Sequence, residues 1–283
     1  MTRAREGEIH SSWRARNIGD RPGQITPNGS ANGHDRGKNC QWSSIGGVTG
    51  KGERAPHYEA VIFDLFGTLV PAPRSSAMAA AHRGRAALLD VPYEEFMEAW
   101  QRFQPRTCNV HQSVLMRRCA QACGVPVSDD VVQLAVELGK AVVRPCLQAP
   151  RPGSVDTICA LRTGGLRVAI ASNAGSDVVD AWPTTPLSSE LDDVVFSAQV
   201  GRSKPDLGFF ELVAQRLDVS LADSVFVGDG GDDELGGAQR AGVGLVVQLA
   251  QLSVDPNDAS HHRVSDWDGL RITQLSELAG LLR

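Results

Sequence analysis

The chain has 283 residues, of which 42% are hydrophobic and 22% charged, a composition typical of a globular core with room for a second module. Residues 1–56 carry nine Lys/Arg against five Asp/Glu, an excess of four positive charges, whereas the whole chain carries −5; the remainder therefore carries −9. This acidic remainder argues against nucleic acid as a main partner, because binding to phosphate backbones depends on clustered Lys and Arg. No apolar run approaches the ~20 residues of a membrane helix, and no secretory signal is evident. We therefore expect a cytoplasmic protein with no membrane partner.

The first 56 residues differ in composition from the rest. They contain ten Gly among scattered Ser, Asn and Pro and show neither helical nor strand periodicity. We expect residues 1–56 to form a disordered tail. The six cysteines of the chain form no CxxC pair and no Cys/His pattern typical of zinc sites, so we expect reduced thiols. Nothing in the sequence indicates an oligomeric state.

A series of short apolar runs begins after the tail. The first ends at Asp64, and turn-rich or helical stretches separate each run from the next. Such alternation predicts strands of a parallel sheet flanked by helices. The predicted strands are Ala60–Phe63, Leu166–Ala171, Val194–Ser197, Ser224–Val227 and Val243–Leu249.

The roughly 95 residues between the first two strands are too many for a loop. Their helical patterns cover about 75–90, 93–104, 109–123 and 128–144, with Pro71 and Pro73 at one border and Pro145, Pro150 and Pro152 at the other. The sequence therefore predicts a Rossmann-like α/β core at 57–71 and 151–283, with a helical module inserted at 72–150.

Polar residues follow the predicted strands, at the edge where parallel sheets bind ligands. Asp64 is a candidate nucleophile, since an ionised aspartate can form an acyl phosphate. Asp229 and Asp233 would bring further negative charge toward it, and crowded carboxylates repel unless a cation lies among them. Mg²⁺ fits such oxygen ligands. Side chains that can bind a substrate follow the other strands: Ser172, Asn173 and Lys204.

These groups, in this order, resemble the four motifs of the haloacid dehalogenase-like superfamily, and the resemblance covers about residues 57–283. The inserted helices resemble the cap of that family, which closes over the site. The resemblance implies that Asp64 is the nucleophile, that Ser172 supplies a hydroxyl group and that Lys204 supplies an ammonium group. It also implies that Mg²⁺ is bound by Asp64, Asp229, Asp233 and the backbone carbonyl of Phe66. Asp232 and Glu234 are expected to be helix N-terminal charges.

Phe66 departs from the phosphatases of this family, which carry a second Asp two residues after the nucleophile as general acid and base. Loss of that proton donor predicts slow hydrolysis of alkyl phosphates, since general acid catalysis contributes ~10² to 10⁴-fold. Candidates for a replacement acid in the insert are Lys140, His82, His111, Arg74, Arg83 and Arg85.

Three functions are left open by this departure. The acidic pair favours an Mg²⁺-dependent phosphatase that acts on a small phosphorylated metabolite through an aspartyl phosphate. An aromatic residue at position 66 resembles the family's metal-independent 2-haloacid dehalogenases, since a departing halide needs no proton. The third possibility is a catalytically weak binding or regulatory protein that retains the fold.

Overall fold

The fold is described from a computed structural model for residues 57–104, 109–250 and 267–282. Six parallel strands form one sheet in the order β3-β2-β1-β4-β5-β6. The strands are β1 Ala60–Phe63, β2 Arg167–Ser172, β3 Asp193–Phe196, β4 Ser224–Gly228, β5 Leu245–Leu249 and β6 Leu270–Ile272. The predicted parallel α/β fold is thus confirmed, with one strand, β6, that the sequence analysis did not identify.

The strand order reverses beside β1. The chain runs outward from β1 through β2 to β3, then returns to the other side of β1 for β4, β5 and β6. Ligands of open parallel sheets bind beyond the carboxyl ends of the strands at such a reversal. Asp64 directly follows β1 and therefore lies at this position.

Both faces of the sheet are covered by apolar packing. In β1, Val61 and Phe63 pack into one hydrophobic cluster, whereas Ala60 and Ile62 pack into another, as expected from the alternation of side chains along a strand. The helices outside the insert are α5 Ser154–Thr163, α6 Ser176–Ala181, α7 Ser197–Val200, α8 Leu207–Leu217, α9 Glu234–Arg240 and α10 Leu278–Leu281. Short 3₁₀ turns at Trp182–Thr184, Leu221–Asp223, Gly231–Asp233 and Leu275–Glu277 complete the described structure.

Five helices of the described residues lie between β1 and β2, the last of which is α5. We call the first four the four-helix insert: α1 Ser75–Leu88, α2 Tyr93–Phe103, α3 Gln112–Ala122 and α4 Asp129–Leu147. They share a separate apolar cluster that includes Phe96, Trp100 and Met116. Helix α4 continues past Pro145, which the sequence analysis took as a border of the insert. Proline is disfavoured inside helices because it has no N–H to donate, but this one lies in the last turn. The domain limits expected at 71/72 and 150/151 stay a prediction.

The expected disordered tail, residues 1–56, lies outside the described residues, as do Cys40 and Cys108. The other four cysteines, Cys119, Cys123, Cys146 and Cys159, are free thiols. Among the described helices, none has the length and apolar character that crossing a bilayer would require.

Candidate active site

Three carboxylates meet at the reversal of strand order. Asp64 follows β1, Asp229 follows β4, and Glu234 begins α9. Each offers an oxygen atom, and these three oxygens lie within 4.8 Å of one another. Asp64 is held in place by its backbone N–H, which donates to the Val227 carbonyl at 2.8 Å and so extends the ladder between β1 and β4.

Lys204 compensates part of this negative charge. Its ammonium group is 2% exposed and donates hydrogen bonds both to Asp64 Oδ1 and to Glu234 Oε2. Buried charges are tolerated in proteins when they are paired in this way. With all four groups ionised, three negative charges and one positive charge leave a net charge of −2.

The crowding shifts the pKa values of Glu234, Asp64 and Lys204. Burial, followed by the charges of Asp64 and Asp229, raises the pKa of Glu234 well above its ordinary value despite the pairing with Lys204. Burial likewise raises the pKa of Asp64, against the opposing effect of Lys204. For Lys204, burial works against the charge, but the two carboxylates outweigh it and raise its pKa.

Glu234, rather than Asp233, lies beside Asp64 and Asp229. The sequence analysis expected Asp233 to bring negative charge toward Asp64, and its role as a metal ligand stays a prediction. The turn after Asp229 is not α-helical: Asp232 and Asp233 have left-handed φ values of 55° and 58°, and α9 begins only at Glu234. The Asp233 carboxylate instead pairs with Arg240 at 2.7 Å on the surface.

Gly237 explains how Glu234 reaches Lys204. Any side chain at Gly237 would collide with Pro205, because its Cβ would lie 2.6 Å from the Pro205 Cβ and 2.9 Å from the Pro205 carbonyl oxygen. The absence of a side chain therefore lets α9 pack directly on the loop that carries Lys204. Glu234 lies three residues before Gly237, on the same face of the helix.

Phe66 and Gly67 form the turn after the nucleophile candidate. Gly67 has φ = +86°, and a Cβ there would lie 2.0 Å from Asp229 Oδ2, so only glycine permits this close approach of the turn to the carboxylate. The turn is closed by a hydrogen bond from Gly67 N–H to the Val70 carbonyl at 2.8 Å. The Phe66 ring packs, half-buried, against the apolar cluster of the sheet. The backbone adjacent to Phe66 therefore lies against Asp229.

Asn173 positions Lys204. The Asn173 side chain accepts a hydrogen bond from Lys204 N–H at 2.8 Å and donates one to the Lys204 carbonyl at 2.9 Å. This reciprocal pair fixes the backbone of Lys204 beside Ser172, which ends β2 and is 1% exposed. The substrate-binding role expected for Asn173 stays a prediction, and the contacts seen are with the protein itself.

Gln248 is a further residue of this region that the sequence analysis missed. It is buried on β5, and its side-chain N–H donates to the backbone carbonyl of Asp229 at 3.1 Å. The sequence contained a signal for Gln248, because it is a single Gln within an apolar strand and a buried amide requires a hydrogen-bond partner.

Five of the six candidates for a replacement general acid have contacts within the insert or with α6. His111 and Lys140 both contact Asp180 of α6, while Arg83 lies over the ring of Tyr93. His82 and Arg85 lie against the ring of Trp100, and Arg74 immediately precedes α1.

The three carboxylates fit a hard divalent cation. Mg²⁺ binds oxygen at about 2.1 Å, so two oxygens on one ion lie up to ~4.2 Å apart. The carboxylate oxygens here lie within 4.8 Å of one another, which is close to this upper limit. A divalent cation would also balance the net charge of −2.

Comparison with known proteins identifies the family of the chain. The family model for haloacid dehalogenase-like hydrolases matches residues 58–242, which include β1 to β4, the four-helix insert and α9. The chain belongs to this family. It is therefore a hydrolase, in agreement with the resemblance found in its sequence.

The relatives with assigned activities have low sequence identity to this chain. The ribulose-1,5-bisphosphate 5-phosphatase of Halopiger xanaduensis is 28% identical over 216 residues, which cover 71% of this chain and 86% of the relative. The glyceraldehyde 3-phosphate phosphatase of Methanopyrus kandleri is 27% identical over 198 residues, or 65% and 81% of the two chains. The crystal structure of a 2-haloacid dehalogenase from Pseudomonas syringae is 24% identical, with a TM-score of 0.57 over 80% of this chain and 98% of that one. At this identity the structural likeness shows the common fold.

Proposed function

We propose that the protein is an Mg²⁺-dependent phosphatase acting on a small phosphorylated metabolite. The observation that carries the proposal is the buried cluster of Asp64, Asp229 and Glu234, whose charge Lys204 compensates only in part. Such a cluster is costly without a cation, and metal-independent cleavage of a carbon–halogen bond needs no such cluster. The phosphatases of Halopiger xanaduensis and Methanopyrus kandleri are similar to this chain over most of their own length, which also supports phosphate ester hydrolysis.

The side chains divide the work of two displacement steps. In the first, a carboxylate oxygen of Asp64 attacks phosphorus, the ester oxygen departs with the bonding electrons, and an aspartyl phosphate forms. In the second, water attacks the same phosphorus, which releases inorganic phosphate and restores the carboxylate. Lys204 and Ser172 donate hydrogen bonds to the phosphoryl oxygens in both steps.

The metal would be held by Asp64, Asp229 and the backbone carbonyl of Phe66, with one further carboxylate. The sequence favours Asp233 for that place, whereas the proximity of Glu234 to Asp64 favours Glu234. When bound, Mg²⁺ supplies positive charge next to the anionic substrate and the attacking carboxylate. The cytoplasmic location and the absence of nucleic-acid and membrane partners expected from the sequence stay predictions.

The proposal is tested by hydrolysis of p-nitrophenyl phosphate, whose phenolate departs without a proton. We expect turnover with Mg²⁺ and its loss with EDTA. Asp64→Asn should abolish turnover, because an amide cannot form the acyl phosphate. Asp218→Asn is the matched control, since that side chain is exposed and remote from the cluster. Turnover that Asp64→Asn leaves intact would refute the proposal.

The second candidate is a metal-independent 2-haloacid dehalogenase, and one observation favours it. Phe66 stands where a phosphatase of this family carries its proton donor, and the departing halide requires none. Halide release from 2-chloropropionate in the presence of EDTA, without phosphatase activity, would replace our proposal with this one. Failure of both assays, with Mg²⁺ binding intact, would favour a binding protein.

A further inference from the structure

The start of α3 brings the four-helix insert onto the loop that follows β2. The backbone N–H of Gln112 donates to Ser176 Oγ at 2.8 Å, and both residues are buried. A methyl group at Gly175 would lie 3.3 Å from the side-chain nitrogen of Gln112. Ser172, which in the proposed function binds a phosphoryl oxygen, is three residues before Gly175 on this same loop.

The preceding residues of the insert approach a second loop of the site. A methyl group at Gly201 would lie 3.6 Å from the side-chain nitrogen of Asn109. Gly201 is three residues before Lys204, the ammonium group of the site. Residues 109–112 therefore extend from the Lys204 loop to the Ser172 loop, and Gln112 lies at the second of these two contacts.

The Gln112 side chain has an unused acceptor. The residue is only 4% exposed, yet its carbonyl oxygen Oε1 has no hydrogen-bond partner within the described part of the chain. Buried side-chain carbonyls are nearly always bonded, because losing their water without a replacement is costly. Since the backbone bond to Ser176 fixes the start of α3, the amide has limited freedom to find another partner.

We propose that Gln112 is a specificity-determining residue, which accepts a hydrogen bond from a hydroxyl group of the substrate's leaving alcohol. This inference rests on the proposed phosphatase function. A phosphoryl group held by Ser172 and Lys204 leaves the alcohol portion to extend toward the insert, where residues 109–112 cover the two loops. The substrates so selected are phosphate monoesters of small hydroxylated alcohols, and esters without a hydroxyl leave the carbonyl oxygen unpaired.

If the Gln112 side chain served only to stabilise the fold, its substitution would lower the thermal stability of the protein. The specificity role predicts a different response. Gln112→Leu retains the backbone bond to Ser176 and similar volume, and it removes the unpaired oxygen. Such a change leaves thermal stability unchanged or raises it, because an apolar group replaces an unsatisfied polar one. A residue kept for substrate selection then loses selectivity without losing stability.

The test compares two inhibitors of p-nitrophenyl phosphate hydrolysis that differ only in hydroxyl groups, glycerol 1-phosphate and propyl phosphate. The wild-type protein should bind glycerol 1-phosphate more tightly, by about tenfold in the ratio of inhibition constants, as one hydrogen bond predicts. Gln112→Leu and Gln112→Met should both bring this ratio to about one. Gln121→Leu, on the exposed side of the same helix, is the control and should keep the wild-type ratio.

An unchanged ratio in folded Gln112 variants would overturn the inference, as would a wild-type protein with no preference. If the wild type hydrolyses no aryl phosphate, the proposed function fails instead. The ratio of dissociation constants for the same two phosphates, measured by calorimetry with Mg²⁺, then decides the role of Gln112 separately.

Discussion

Buried polar groups are arranged differently at the sheet edge and in the four-helix insert. At the sheet edge the charged groups compensate one another in part, since Lys204 lies between Asp64 and Glu234. The nearby buried atom that lacks a partner within the described ranges is a neutral hydroxyl oxygen, Thr68 Oγ1. In the insert and its contact with the core, buried groups retain unused atoms: Arg85 Nη2, His82 Nδ1 and Gln112 Oε1 have no hydrogen-bond partner among the described residues. Each such atom costs about 1–3 kcal/mol when buried.

This difference separates two tasks. The sheet edge forms a self-consistent charged unit, so a change to one of its members should affect all of the chemistry. The insert contains polar groups that the fold itself does not require, so changes there should alter selectivity or the response to pH. Substitutions in the two regions separate these tasks, and those in the charged unit should have the larger effects.

Among changes that leave the nucleophile candidate Asp64 in place, Glu234→Gln should have the largest effect. It removes a negative charge that pairs with Lys204 and lies within reach of Asp64 and Asp229. We expect kcat/KM with Mg²⁺ to fall by about 10²-fold or more, since a metal contributes several kcal/mol of charge stabilisation. The Mg²⁺ concentration that gives half-maximal activity should rise. Both quantities come from steady-state hydrolysis of p-nitrophenyl phosphate over a Mg²⁺ titration.

Asp233→Asn is the matched comparison, because it makes the same kind of change one residue earlier. Its carboxylate pairs with Arg240 on the surface, so we expect activity within about twofold of wild type, the scale of an exposed ion pair. The opposite result, a large loss in Asp233→Asn and none in Glu234→Gln, would restore the ligand set proposed from the sequence.

This pair of residues also shows where sequence reasoning ends. Strand ends could be identified because Ala60–Phe63 and Ser224–Gly228 are buried apolar runs, which placed Asp64 and Asp229 at the same edge. The identity of the third carboxylate depended on the path of the turn between Asp229 and α9. Left-handed φ values at Asp232 and Asp233 delay the start of the helix, and the order of the motifs on which the resemblance rests does not predict that delay.

A signal for Glu234 was nevertheless present. Glu234, Leu235, Gly237 and Ala238 are buried in α9, and their spacing matches one face of a helix that begins at Glu234. Strand β6 was harder to predict, because Leu270–Ile272 is only three residues long and has two exposed positions. Asn173 shows a third limit: its position after β2 suggested substrate binding, whereas its contact with Lys204, 31 residues later, depends on tertiary structure.

Phe66→Asp should give the next largest effect, an increase in activity. In the proposed function, the charges of the sheet edge stabilise a phosphoryl group, but position 66 provides no proton for a poor leaving group. An Asp at this position should raise the ratio of kcat/KM for an alkyl phosphate to that for p-nitrophenyl phosphate by at least tenfold, within the usual range of general acid catalysis. Phe66→Asn is the control, because asparagine has a shape similar to that of aspartate but has no carboxyl group to donate a proton. A folded Phe66→Asp protein with an unchanged ratio would show that proton supply does not limit the reaction.

Substitution of His82 should have the smallest effect, and it should change the stability of the protein rather than its activity. Burial, assisted by the charge of Arg85, lowers the pKa of His82 from 6.5 to about 4. The ring packs against Trp100, with centroids 4.6 Å apart. Because the folded-state pKa is the lower one, the unfolded chain binds the proton first as the pH falls. The stabilisation is therefore complete above pH 6.5 and is lost progressively between pH 6.5 and about 4.

Between pH 7.5 and pH 5, linkage predicts a loss of about 1–2 kcal/mol in the free energy of unfolding, the lower figure allowing for screening by solvent. His82→Phe keeps an aromatic ring beside Trp100 and cannot titrate, so its unfolding free energy should change less over the same interval. Urea denaturation of both proteins at the two pH values measures this difference, in which the contributions of shared carboxylates cancel. Parallel pH profiles for the two proteins would mean that the unpaired atoms of the insert do not make it the pH-sensitive part of the molecule.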